Sequence, residues 1–154
     1  MIYVESPHIY DRLHGSTQRA LFLAGGITGC PDWQQEVRRL LHDTDLVLLN
    51  PRRENFPLGD PDAAGEQIAW EHEHLRKADA ILFWFPCETL CPISLYELGA
   101  WSMTAKPVFV GVHSNYQRRL DVEIQTGLAR PEVEVVYSLH DLAKQVATWN
   151  GVKA

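Results

Sequence analysis

Residues 80–85 read AILFWF, six apolar side chains in a row closed by Pro86. A strand with one wet face alternates polar and apolar residues, and this one does not. A run apolar on both faces belongs in a parallel sheet covered by helices on each side. Working outward, similar runs recur: Ala20 to Ala24 (ALFLA) ending at Gly25-Gly26, Leu46 to Leu49 stopped by Asn50-Pro51, Pro107 to Val112 (PVFVGV), and Val133 to Tyr137. Helical patterns separate them. One opens at Pro31-Asp32-Trp33 and carries Trp33, Val37, Leu40 and Leu41 at helical spacing. A second should span Ala63 to Lys77, burying Ile68, Leu75 and either Glu71 or His72. A third starts at Pro92, a residue suited to the first helical position, and runs to about Thr104. Leu139 to Trp149 closes the chain, and Tyr116 to Leu128 reads as a loop leading into a short helix. The expectation is one domain over residues 1–154, with 1–19 as an N-terminal arm holding one β-like run, Ile2 to Val4. Its fold should be a doubly wound, flavodoxin-like parallel sheet of about five strands with helices on both faces.

In such sheets ligands bind at the carboxyl ends of the strands. Four windows follow the first four buried runs: Gly25 to Asp32, Asn50 to Phe56, Pro86 to Glu97, and His113 to Asp121. Bulk properties narrow the ligand. With 154 residues the chain can bury a full core, and a net charge of −6 disfavours a nucleic-acid polymer as partner. No apolar run approaches the ~20 residues of a membrane span. Glu5, Asp11 and Arg12 interrupt the N-terminus where a signal peptide would be apolar, so the cytoplasm is the expected address. Cys30, Cys87 and Cys91 are odd in number and lack CxxC spacing, which reads as free thiols with no metal site. The EHEH run at Glu71 to His74 puts its histidines two apart, on different helix faces, and again implies no metal.

Within the windows the residues leave alternatives open. Gly25 and Gly26 let a ligand approach the backbone, or simply make a tight turn. The run is not GxGxxG, so no dinucleotide cofactor is implied. Glu97 in ISLYELGAW is held early in a helix near the strand ends, yet spacing alone reads first as an ordinary solvated glutamate. Asn50, Arg52 and Arg53 face a base or a phosphate, or else Arg52 and Arg53 pair with Glu54 or Asp60. Trp33 packs its helix or stacks on a base. Trp84 belongs to the core.

Taken in order, several of these pieces resemble one family. They are LFLAGGITG, DWQ at Asp32 to Gln34, LNPRR at Leu49 to Arg53, and QIAWE at Gln67 to Glu71. ADAILFWF at Ala78 to Phe85, PISLYELGAW at Pro92 to Trp101 and KPVFVGV at Lys106 to Val112 complete the set. Across roughly 60% of the chain, this order and spacing is similar to the nucleoside 2-deoxyribosyltransferase family, in its transferase-like branch.

The resemblance implies that Glu97, the glutamate of the ELG motif, attacks C1′ of a nucleoside sugar. A covalent glycosyl-enzyme intermediate would form as the base leaves, as in a retaining glycosidase. The proton donor for the leaving nitrogen falls at Glu71, with a surface helix glutamate as the plain alternative, and Asp79 of the AD motif caps or orients the strand entrance. The family's sugar-holding aspartate, six residues before the nucleophile, is Cys91 here, with Thr89 and Ser94 as nearby hydroxyls. An asparagine that reaches a neighbouring subunit's sugar site is replaced by Asp121. The substrate-contacting set is therefore Gly25, Gly26, Trp33, Asn50, Arg52, Asp79, Cys91 and Asp121. The expected partners are a nucleoside or nucleotide substrate and further copies of the chain in a homo-oligomer, with no cofactor and no metal. Two other readings stay open: hydrolysis, with water in place of a second base, and a nucleotide-ligand sensor without turnover.

Overall fold

The computed structural model describes residues 1–57 and 59–151, so Leu58 in the polar 52–62 loop and residues 152–154 of the expected domain lie outside the described residues. The chain runs β1 (Ile2–Glu5), β2 (Ala20–Gly25), α1 (Trp33–Leu40), β3 (Val47–Asn50), α2 (Ala63–Lys77), β4 (Ala80–Phe85), α3 (Pro92–Ser102), β5 (Val108–Val112), α4 (Arg119–Ala129), β6 (Val135–Val136) and α5 (Leu139–Trp149). All pairings are parallel and the strand order is β1-β3-β2-β4-β5-β6. Without β1 this is the flavodoxin-like order. The sixth strand comes from the arm: Ile2 to Glu5 pairs in register with Val47 to Asn50 and covers the outer edge of β3.

Strand β4 shows why its sequence does not alternate. Ile81, Phe83 and Phe85 pack with Phe22, Trp70, Leu75, Leu98 and Val122 on the face covered by α2, α3 and α4. Ala80, Leu82 and Trp84 pack with Leu21, Leu23, Trp33, Val37, Leu142 and Val146 on the face covered by α1 and α5. All six residues of β4 are buried. Two helix starts are capped by side chains. Asp32 accepts the Gln35 N–H at 3.2 Å and Ser138 that of Asp141 at 3.0 Å, which satisfies amides a helix end leaves open.

Three sequence expectations change. Ile68 is 67% exposed and His72 is also exposed, whereas Trp70 and His74 form the buried face of α2. His74 Nε2 accepts the Tyr10 N–H at 3.0 Å, so Nδ1 carries the proton and donates to the Trp70 carbonyl at 2.7 Å. Burial lowers the His74 pKa, consistent with this neutral ring, and the ring stacks on Trp70 at 3.9 Å. The segment expected to be a loop and a short helix over 116–128 instead holds most of an 11-residue helix, Arg119–Ala129. Asp79 sits at the amino end of β4, the opposite end of the sheet from the ligand-binding edge. There it accepts the Ala20 N–H at 2.7 Å and pairs with Arg12, so it ties β2 and the arm to β4 and is not a substrate contact. No helix among the described residues is long and apolar enough to cross a membrane.

Asp79→Ala is expected to cost about 1.5–3 kcal/mol in urea unfolding, the range for a hydrogen bond to a charged group. Ligand binding by the folded variant should be unchanged, since its work is done at the far end of the sheet.

Candidate active site

The chain leaves β2 toward β3 on one side and returns over α2 to β4 on the other. A crevice opens where the direction of winding reverses, between the carboxyl ends of β2 and β4. A cavity of about 230 Å³ lies there. Its floor is Phe22, Ala24, Gly25 and Gly26, and its walls are Ile27, Thr28, Pro51, Thr89 and the first turns of α3. Two carboxylates line it, Glu71 from α2 and Glu97 from α3, both half-buried.

The electrostatics follow from the lining. Burial pushes the Glu97 carboxyl up to about 8, and the negative charge of Glu71 adds to the rise. Burial also raises Glu71, while a hydrogen bond from Gln67 holds it down. Among the residues lining the cavity there is no lysine or arginine to favour the ionised forms. A carboxyl pair in this setting titrates as a unit and holds a proton well above the usual carboxylate range.

Local backbone structure sets the two helices. A Cβ on Gly26 would lie 2.8 Å from Pro86 Cγ, 2.9 Å from Thr89 Cγ2 and 3.0 Å from Cys91 Sγ. A Cβ on Gly25 would strike the Trp84 carbonyl and lie 2.6 Å from the Trp33 ring. The glycines therefore let the loop after β4 close down on β2, and their backbone forms the cavity floor. Cys91 then turns the chain with φ 47°, the one positive-φ non-glycine among the described residues, and Pro92 starts α3. The Tyr116 hydroxyl buttresses this loop, donating to the Leu90 carbonyl at 2.6 Å.

Of the residues marked by sequence, Gly25, Gly26, Glu71, Cys91 and Glu97 meet in this cavity, joined by Thr28, Thr89 and Ser94. The Cys91 thiol is buried, donates to the Thr89 carbonyl at 3.4 Å, and is pushed by burial up to about 12, so it is a neutral wall. Four others stand elsewhere. Trp33 is 3% exposed under the loop and its Nε1–H donates to the Gly26 carbonyl at 2.7 Å, so it supports the floor and cannot stack on a ligand. Asn50 is 1% exposed, with its amide spent on the Tyr3 hydroxyl and the Arg52 backbone. The Arg52 guanidinium reaches across to the Cys30 and Pro31 carbonyls at 3.1 and 3.0 Å and to Gln34 Oε1 at 3.2 Å, clamping the loop after β2. Asp121 pairs with Arg118 and faces a groove between α3 and α4, outside the cavity within one chain.

Sequence reasoning missed the groups that hold Glu71. Gln67 Nε2 donates to Glu71 Oε1 at 2.8 Å and to the Pro51 carbonyl at 2.7 Å, and Ser6 of the arm donates to Gln67 Oε1 at 2.8 Å. The i, i+4 spacing of Gln67 and Glu71 was the only available signal. Among the described residues no group of three His, Cys, Asp or Glu side chains is placed to hold a metal ion.

Raised pKa values tie this site to stability. A carboxyl that titrates near 4.5 unfolded and about 8 folded binds protons more tightly in the folded state between those values, so stability falls as pH rises across that window. Glu97→Gln should therefore raise the melting temperature at pH 8 to 9 and change it little at pH 5, as calorimetry would show.

A family model described as nucleoside 2-deoxyribosyltransferase like matches residues 18–116, from the strand before the cavity through α3 to the loop after β5. Comparison with curated proteins returned no match. The matched span covers more than half of the chain and includes both carboxylate-bearing helices, and the chain belongs to the nucleoside 2-deoxyribosyltransferase-like family.

Proposed function

We propose that the protein cleaves the base–sugar bond of (deoxy)nucleosides and transfers the sugar, with Glu97 as nucleophile and Glu71 as acid and base. The carrying observation is the pair itself: two carboxylates from different helices in one cavity, with no lining cation and the proton affinity of Glu97 raised. A Glu97 oxygen bonds to C1′ as the C1′–N bond breaks. The electron pair goes to the base nitrogen, which takes a proton from Glu71. In the second half an incoming base attacks C1′, Glu71 recovers a proton from it, and Glu97 leaves. Positive charge developing at C1′ favours ionised Glu97, so within the pair the proton moves to Glu71 as the transition state is approached. A neutral thiol at Cys91, where a hydroxyl-binding carboxylate is the family pattern, gives the hydrolytic reading its support. Chromatography of products with and without a second free base separates the two.

The site is proposed to work in a homo-oligomer. Leu120, Ile124 and Leu128 are 62%, 58% and 79% exposed at four-residue spacing on α4. Ile93 and Tyr96 of α3, the helix that carries Glu97, and Met103 just after it are equally exposed. The α4 stripe is flanked by charges already paired within the chain, Arg118 with Asp121 and Arg119 with Glu123. A second copy would meet no net charge there, which suits a self-complementary interface.

Glu97→Ala should lower kcat by about 10³-fold or more for sugar release, measured with deoxynucleosides; unchanged turnover would overturn the mechanism. For the unsubstituted protein kcat/KM should be bell-shaped. It falls above about 8 as the pair loses its last proton, and falls at low pH as Glu97 and Glu71 are both protonated. The double variant Ile124→Glu/Leu128→Glu should convert the oligomer to monomer by light scattering without loss of fold.

A further inference from the structure

Hydrogen bonds among these groups have a fixed direction, and that direction reaches Glu71. Arg53, in the loop after β3, can only donate. Its Nε–H points at Ser6 Oγ over 3.2 Å. Ser6 accepts there, and its single proton goes to Gln67 Oε1 at 2.8 Å. At the other end of the amide, the Pro51 carbonyl can only accept, and it takes one Gln67 Nε2–H at 2.7 Å. The second Nε2–H meets Glu71 Oε1 at 2.8 Å. A flipped amide would set oxygen against both the Pro51 carbonyl and the Glu71 carboxyl, and would face Ser6 with a donor. Each polar atom of Gln67 is thus committed by a partner that works one way. Glu71 Oε1 faces a donor that cannot accept, so a proton on Oε1 would leave two hydrogens opposed. Glu71 Oε2 has no hydrogen-bond partner among the described residues, and Glu71 lines the cavity.

We propose that Gln67 is the positioning residue of Glu71, oriented by Ser6 and Arg53 on one side and by the Pro51 carbonyl on the other, so that the transferable proton of Glu71 resides on Oε2. This rests on the reading of Glu71 as the acid. It extends the site to Ser6, which lies before the residues matched by the family model. The charged groups bearing on Glu71 are Glu97 from α3 and, through Ser6 and Gln67, Arg53 from the loop after β3. Burial and the Gln67 bond act on its own carboxyl in opposite senses.

The test uses Gln67→Leu, with Ser6→Ala and Ser6→Thr as companions. Carboxyl-carbon NMR of the full chain reads the Glu71 titration directly, whatever the substrate proves to be. Removing the Nε2 donor should shift that titration upward. Ser6→Ala should shift it less, because Pro51 still holds the amide, and Ser6→Thr, which keeps the hydroxyl, should restore it. With substrate, kcat of Gln67→Leu should fall about tenfold for a mispositioned acid, with KM little changed. An unmoved Glu71 titration in folded Gln67→Leu would overturn the proposal even if the protein is active on nucleosides. If Gln67→Leu does not fold, the Ser6 pair decides: equal titrations in Ser6→Ala and Ser6→Thr would overturn it. A titration that moves as expected in a protein inactive on every nucleoside keeps the positioning and refutes the catalytic reading of Glu71.

Discussion

The central pairing of β2 with β4, Leu21 to Gly25 against Ala80 to Trp84, governs the rest of the molecule. Both strands are buried on both faces, so their backbone groups have only each other and the neighbouring strands as partners. Polar function is therefore excluded from the body of the sheet and pushed to its ends. At the amino end Asp79 receives the first amide of β2. At the carboxyl end the chain must turn away from a partner strand only a ladder spacing distant, and side chains would collide. Gly25 and Gly26 resolve this by omitting the Cβ, with Trp33 and Pro86 filling the space on either side. The cavity is what remains between two loops so constrained.

Two carboxylates in that gap are a liability to folding and the basis of the chemistry proposed for the site. Burial favours the neutral form of each, and ionising either makes the second harder to ionise. A folded state with this pair is less stable at alkaline pH than one without it. In the proposed mechanism the same energetic tension keeps one carboxyl available as a proton donor near neutrality while its neighbour acts as the nucleophile. The helices that carry the pair are anchored on the same apolar face of the sheet, Trp70 and Leu75 from α2 and Leu98 from α3, so the spacing of the carboxyls is inherited from core packing.

What sequence could reveal followed from this physics. Unbroken apolar runs identified four of the buried strands, and their order located the crevice, because burial on both faces leaves a mark that needs no partner to be read. Strand β1 was harder to see: it is four residues long, half-exposed, and gains its identity only from pairing with β3 some forty residues later. Helix α4 misled because its regular apolar stripe, Leu120, Ile124 and Leu128, faces outward while Val122 and Thr126 face the core. Arg52 looked like a phosphate ligand, but the open carbonyls of the loop after β2 engage it first. Chain neighbours gave no clue to that contact, nor to the arm's hold on α2 through His74 and Gln67.

Ser6 follows directly on β1, an edge strand with a single neighbour, and it is the residue that faces Gln67. Edge elements open with a fraction of the free energy needed to unfold the core, on timescales read by amide hydrogen exchange. Each such excursion of the arm lifts Ser6 away and leaves one end of the Gln67 amide unheld. One of the two supports of the Gln67 amide therefore lasts only as long as the edge stays closed, while the other, the Pro51 carbonyl, and the helix that carries Glu97 last as long as the fold.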